Sequence, residues 1–390
     1  MRNLAGDFVA FLGPIRLGRG GMAKRSAAMS VWEGFLVAVV LIASTAFGQE
    51  KAAQDEAIDA IRRLESIAAL DQGRIKEWVQ SQVERLRSGA KADDPKTIRG
   101  PELKSFRKVF KDQWKNAANT AAFRTQFATQ VGVVAQSELA KSTPDPTVHT
   151  ALAGVLLDVG QPETISGLLV GLKSPVAGTR LLSARGLENL RTPIGAEKEK
   201  FELVLPALRE AAGVETSPVV LGRMYEAMAF PNQVLPVSEA VLAVFQKRRE
   251  SRGASMGAEL PAFEWFRNKT VLAALSPEQR ADLVRRLAAF LRIDAERYAD
   301  PGLAPPKDDK ASDLAFVQRD AIERSLDAVE DILTTIPIEN GGKIRDELNA
   351  GGYENRMGVL REAAKWVGDA KANTRGVLND APWNVPVGAP

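Results

Sequence analysis

Cysteine is absent from the 390 residues. That excludes a disulfide framework, a thiol nucleophile, thiolate metal sites and a lipidated N-terminal cysteine. Histidine occurs once, at His149. A Ser-His-Asp triad or a zinc site of HExxH type would have to use it, yet the chain contains no HExxH, and its GxSxG string, Gly253 to Gly257, falls in a Gly/Ser/Met-rich loop rather than between a strand and a helix as a nucleophile elbow requires. His149 follows an Asp-Pro helix start and reads as a partly exposed helix residue. The phosphate-loop pattern GxxxxGK[ST] is missing too, because in Gly167 to Ser174 the residue before Lys173 is Leu172 rather than glycine. Asp93-Asp94 and Asp308-Asp309 lack the spacing of a calcium loop and read as solvated charge. These absences assign no catalytic residue, no cofactor and no metal. Chemistry by two carboxylates leaves no fixed spacing in a sequence, so it stays open as the enzymatic alternative.

Long apolar runs are scarce as well. The longest near-continuous one, Phe35 to Phe47, has 13 residues, against the roughly 20 needed to cross a hydrocarbon core. Lys24 and Arg25 precede it and small residues follow, which is the order of an export signal. Cleavage fits after Ala46 or after Gly48, with Gly48 preferred, and a retained membrane anchor is the alternative. The Gly-rich stretch ahead of Met22 is either a long n-region or lies behind an unused start codon. Residues 1–48 carry five cations (Arg2, Arg16, Arg19, Lys24, Arg25) and two anions (Asp7, Glu33). Taking these from totals of 52 and 49 leaves 47 of each, so the remainder is formally neutral. Nucleic acid is therefore not an expected partner. The expected location is periplasmic or extracellular, with no transmembrane span after processing.

Alternating strand patterns are nearly absent and helical spacing dominates, so the expected class is all-α. Ile58, Ile61, Leu64 and Ile67 recur every three residues; after Gly73, Ile75, Val79, Val83 and Leu86 recur at helical spacing, suggesting a helical hairpin. Residues 49–141 form the expected N-terminal helical region, with a polar linker from Lys91 to Pro101. Thr143-Pro144-Asp145-Pro146 stops it. Residues 262–372 form a C-terminal helical region. In it, Ser276-Pro277-Glu278-Gln279 predicts a capping box, Ile322, Leu326, Val329, Leu333 and Ile336 predict one long amphipathic helix, and a last helix covers about Arg356 to Ala370. The tail, 373–390, is too proline-rich for helix and is expected to lie extended.

Residues 144–250 contain three similar openings, Asp145-Pro146, Ser174-Pro175 and Ser217-Pro218, each offering an N-cap oxygen before a proline at the first helical position. The sixth residue after each proline is Leu152, Leu181 and Met224, and the ninth is Val155, Ala184 and Ala227. The fifth is Arg180 and Arg223 in the second and third units, and Ala151 in the first. Ile165 to Leu172 and Phe201 to Leu208 read as partner helices. Helix pairs repeating in this way resemble the HEAT family, over roughly residues 144–246. The resemblance implies an α-solenoid of antiparallel helix pairs in a right-handed stack, as in HEAT and armadillo proteins. It also implies that Arg180 and Arg223 are structural, tying one repeat to the next.

One stretch stands out as a binding surface. From Leu103 to Lys115, Phe106, Phe110 and Trp114 line one helical face, while Lys104, Arg107, Lys108, Lys111 and Lys115 spread over the rest. Such a helix can lie on an anionic surface or clasp an acidic polymer, although aromatics in the core beneath a solvated basic face give the same pattern. Trp383, between prolines, is a second candidate contact. The expected function is an exported helical-repeat scaffold or protein-binding module of the cell envelope. Its expected partner is another protein, with an anionic envelope surface as the other choice. The alternative is an extracytoplasmic polysaccharide hydrolase or lyase of helical fold that uses carboxylates.

Overall fold

The computed structural model of the chain describes residues 53–89, 100–250, 257–303, 313–336 and 338–387. The export signal, both cleavage sites and the apolar run lie outside these residues, as do most of the linker after Lys91 and residues 304–312. The chain divides into two compact units, Met1–Ala60 and Ile61–Pro390. Of the first, residues 53–60 are described and are helical; this is α1, whose last residue is Ile61.

The second unit is all-helical, and among the described residues it contains no strand. A single isolated bridge joins Asp369 and Thr374. In its N-terminal part, α2 (Ala69–Gly89), α3 (Gly100–Lys115) and α4 (Ala121–Leu139) precede α5 (Pro146–Val159), α6 (Ile165–Gly171), α7 (Ala177–Asn189) and α8 (Arg191–Ala196). There follow α9 (Lys198–Val214), α10 (Pro218–Met228), α11 (Val234–Glu250), α12 (Leu260–Arg267) and α13 (Lys269–Ala274). The C-terminal part holds α14 (Pro277–Tyr298), α15 (Asp313–Thr335), α16 (Ile344–Gly351) and α17 (Arg356–Val367).

Two expectations near the start are corrected. Helix α1 ends at Ile61, so the apolar spacing does not continue as helix to Ile67, and Leu64 is 39 % exposed. Gly73 lies inside α2 and does not break it. An interior glycine costs about 1 kcal/mol relative to alanine, and the burial of Ile75, Trp78, Val79, Val83 and Leu86 along α2 outweighs that.

The three proline openings close differently. Asp145 caps α5 as expected, accepting from the N–H groups of Thr147 and Val148 at 2.9 and 3.2 Å. Gly160, with φ of 55°, ends that helix in the left-handed region that glycine enters without strain. At the second opening α7 starts at Ala177, two residues beyond Pro175, because the Ser174 Oγ accepts from the Val176 N–H at 3.2 Å and holds a turn there. At the third, Pro218 is the first residue of α10, but the Ser217 side chain makes no capping bond. Glu215 instead holds the turn ahead of the helix, its Oε1 accepting from the N–H groups of Thr216 and Ser217 at 2.9 and 2.8 Å.

Helices pack across the pairs in chain order. Helix α5 lies against α7, α7 against α10 and α10 against α12, while α4 packs on α6 and α9 on α11. Toward the C-terminus α14 packs on α15 and α17, and α12 also meets α15. The capping box of α14 forms as expected, with Ser276 Oγ accepting from Gln279 N at 3.2 Å and Gln279 Oε1 from Ser276 N at 2.9 Å. Ile322, Leu326, Val329 and Leu333 of α15 are fully buried, each contributing roughly 1.5–3 kcal/mol relative to exposure.

The tail differs from its expectation. Val377–Asn379 is a short 3-10 turn, and Val385 N donates back to Leu378 O at 2.8 Å. Buried Asn379 organises this turn, its Nδ2 donating to Val367 O at 3.2 Å and Val385 O at 2.7 Å. The chain folds onto the end of α17 instead of lying extended because only there are those amide donors satisfied away from water.

Candidate functional site

Helix α3 separates its two chemistries by face. Phe106 and Phe110 are 8 % and 1 % exposed and join a cluster in which Trp78 meets Phe110 edge-on at 5.3 Å and Trp114 stacks on Phe127 at 6.4 Å. The aromatic stripe is thus core. On the outer side Lys104, Lys108, Lys111 and Lys115 are exposed and share one face by their four-three-four spacing. Lys108 pairs with Asp112 at 2.6 Å. Arg107 leaves this set. It turns to α5 and grips Asp158 through two bonds of 2.8 and 2.7 Å. Its side chain crosses Gly154, where a Cβ would lie 2.9 Å from Arg107 Cδ, so a larger residue there would make the arginine shift.

Arg180 and Arg223 both join α7 to α10. Arg180 binds Glu215 bidentately at 2.6 and 2.9 Å and donates to Ser174 O at 2.9 Å. Arg223 reaches back to Glu188 at 2.9 Å and also pairs with Glu226. The sequence reading missed the residues that extend this chain of contacts. Arg191 donates to the carbonyls of Glu226 and Ala229 at 3.0 and 3.2 Å, closing the end of α10. Arg248 on α11 donates to Glu215 O at 2.7 Å and pairs with Glu259, ahead of α12, at 3.2 Å. Arg180 to Glu215, Glu188 to Arg223 and Arg191 to Glu226 are all separated by 35 residues, a recurrence that could have been searched for.

Burial makes Glu215 harder to ionise, yet the Arg180 bond, the Ser217 and Thr216 N–H groups and the Arg180 charge together hold its carboxyl below the ordinary glutamate value.

His149 is corrected from a partly exposed residue to a buried one, 2 % exposed, with Nδ1 lying 3.3 Å from Ser174 Oγ. Helix α5 is enclosed nearly all round by α3, α4, α6 and α7, so it has little free face to offer. Desolvation lowers the pKa of His149, only partly opposed by a bond involving Glu138 and by the charges of Asp145 and Glu138, with Lys141 lowering it further. A depressed histidine contributes stability that is full above its unfolded value, about 6.5, and lost as pH falls through the folded one. His149→Gln is expected to cost about 1–3 kcal/mol, the range for a buried group left unsatisfied. It should also flatten the decline of thermal stability just below pH ~6.5, which scanning calorimetry across that range would read.

The buried carboxyls lie within helix interfaces. Asp294 on α14 is 6 % exposed and accepts from Ser325 Oγ of α15 at 2.6 Å; desolvation pushes its pKa up to about 6. Glu330 of α15 accepts from the N–H groups of Ile344 and Arg345 at 2.7 and 2.8 Å and so caps α16. Tyr298 donates to Glu323 at 2.6 Å. Among the described residues no group of three or more histidine or acidic side chains is placed to hold a metal ion.

One groove lies between α14, α17 and the turn at 368–375, with a volume of about 660 Å³. Arg292, Arg361, Lys365, Lys371 and Arg375 line it, against Glu296 and Asp369. Trp383, half-buried, is held in the folded tail by its own N–H donating to Asp380 O at 3.0 Å and does not line this groove. No protein-family model matches the chain, and comparison with curated proteins and with solved structures finds no significant match either.

Proposed function

We propose that the chain is an exported HEAT-like helical-repeat protein that serves as a binding or scaffolding module of the cell envelope. The observation that carries this reading is the run of contacts joining successive helix pairs: His149 to Ser174, Arg180 to Glu215 and Arg248 to Glu259. In stacked repeats each pair meets its neighbours, and the joints determine how firmly an extended surface holds its shape for a partner. Here the joints are one buried histidine–serine contact and two ion pairs with buried carboxylates, and the remaining surface is left to recognition. Export rests on the basic, apolar and small-residue order of Lys24 to Gly48. The lysine stripe of α3 is one proposed contact, toward an acidic partner or an anionic envelope surface. A carboxylate enzyme would need an acidic pair facing a cleft, whereas Asp294 and Glu330 are engaged by Ser325 and by the start of α16.

Two measurements on protein from its own host test the proposal. N-terminal sequencing is expected to find Gln49 first; a bulk population starting at Met1 or Met22 would overturn export. Photo-crosslinkers placed at Lys111 on α3 and at Met357 on α17, used in intact cells, are expected to trap one discrete envelope protein. Absence of any protein adduct at both positions would remove the scaffold reading.

A further inference from the structure

The groove beside α17 combines charge with apolar floor in a way that names its occupant. Its floor is built from the small and apolar side of α17, with Leu360, Ala363, Ala364 and Val367 facing Ala295 of α14. At its edge Met357 is 61 % exposed. Its volume falls in the range of about 300–1,000 Å³ usual for ligand sites. Of its five cations, Lys365 is bound to Glu362 at 2.6 Å, Arg375 to Asp380 at 2.9 Å, and Arg292 lies 3.8 Å from Glu296. Arg361 and Lys371 form no ion pair among the described residues. Of the two acids lining the groove, Asp369 is already satisfied by the N–H groups of Lys371 and Ala372 at 2.8 and 3.2 Å. Lys371 and Arg361, the latter near enough for its charge to act on Glu362 but without an ion-pair contact, therefore flank an apolar strip with an exposed methionine at its mouth.

We propose that this groove is the docking site for an acidic, amphipathic segment of a partner protein, its apolar side chains on the α17 strip and its carboxylates on Arg361 and Lys371. The proposal rests on the scaffold reading and gives that reading a site. Peptide fits better than polysaccharide because Met357 and Leu360 reward apolar side chains, which an anionic sugar polymer does not carry. An amphipathic helix laid in a groove uses this division of labour, with apolar anchors inside and charge at the rim. Exposed methionine is suited to the contact because its flexible thioether accommodates varied shapes.

Fluorescence anisotropy on the full chain tests it, with a labelled helical peptide that carries leucine on one face and glutamate on the other. Binding is expected, weakening as salt rises. Arg361→Glu combined with Lys371→Glu is expected to weaken it at least ~10-fold, a loss of about 1.4 kcal/mol, and Met357→Asp to weaken it independently. All three positions are on the surface, so thermal melting should stay unchanged and will separate lost binding from lost folding. The proposal is overturned if the peptide fails to bind, if the double variant binds it equally well, if a peptide with Gln in place of every Glu binds as tightly, or if a polyuronate binds where the peptide does not. A crosslinked partner at Lys111 with no peptide binding would sink this site and leave the scaffold; peptide binding with no partner trapped in cells would do the reverse.

Discussion

Glu215→Ala is expected to destabilise the protein by about 3 to 5 kcal/mol, the cost of removing one member of a buried ion pair. The Glu215 side chain is 1 % exposed and that of Arg180 18 %, so the guanidinium left behind has little access to water and keeps only Ser174 O as acceptor. The same substitution strips the N–H groups of Thr216 and Ser217, in the turn before α10, of their acceptor, a further loss of about 1 kcal/mol for a hydrogen bond. Glu215→Gln, which keeps an acceptor oxygen but no charge, should fall between the alanine variant and the parent. Because its folded pKa is depressed, Glu215 stabilises the fold above the ordinary glutamate value of about 4.3. That contribution disappears as pH falls through the folded value. Urea unfolding at neutral pH reads the effect, and a loss below ~1 kcal/mol would show that the pair does not hold these helices together.

Asp294→Asn is expected to act in the opposite direction. Burial raises the Asp294 carboxyl to about 6, against weaker lowering by the Ser325 bond and by the Arg297 charge. A raised carboxyl contributes its stability below the unfolded pKa, about 3.9, and loses it as pH climbs toward the folded value. Two pKa units correspond to about 3 kcal/mol, which bounds the strain carried at pH 8. The asparagine variant removes the charge while keeping an amide for Ser325, so it should be more stable than the parent by about 1–3 kcal/mol at pH 8 and nearly equal to it at pH 4. Denaturant midpoints measured at both pH values decide this. A variant equally destabilised at each would mean that packing at the α14 and α15 contact, and not the charge, governs the site.

The two predictions differ in how far a sequence could anticipate them. Three-and-four spacing was sufficient for α15, since Ile322, Leu326, Val329 and Leu333 face one side and that side is fully buried. The capping box at Ser276 and the cap at Asp145 were equally legible, because those bonds close within three residues. Contacts closing over longer separations were not. Arg107 reads as one more cation of a basic face until Asp158, 51 residues away, is brought beside it. The groove cations come from α14, α17 and the turn after it, and nothing local in the chain joins Arg292 to Lys371.

His149 shows the limit of reading one face at a time. In α5 Val148, His149, Ala151, Leu152, Ala153, Gly154, Val155 and Leu156 are all buried, so the amphipathic pattern that distinguishes inside from outside is lost. By itself the sequence determined the all-helical class, the strongest helices and their local caps, because periodicity and capping are decided within a few turns of chain. Tertiary structure alone decided that Ser174 and Glu215 hold the turns beneath their prolines, that Asn379 folds the tail onto α17, and that buried Glu215 links Arg180 to Arg248. Buried polar groups must be satisfied wherever the packing places them, and their partners are chosen by proximity in space, which spacing along the chain does not encode.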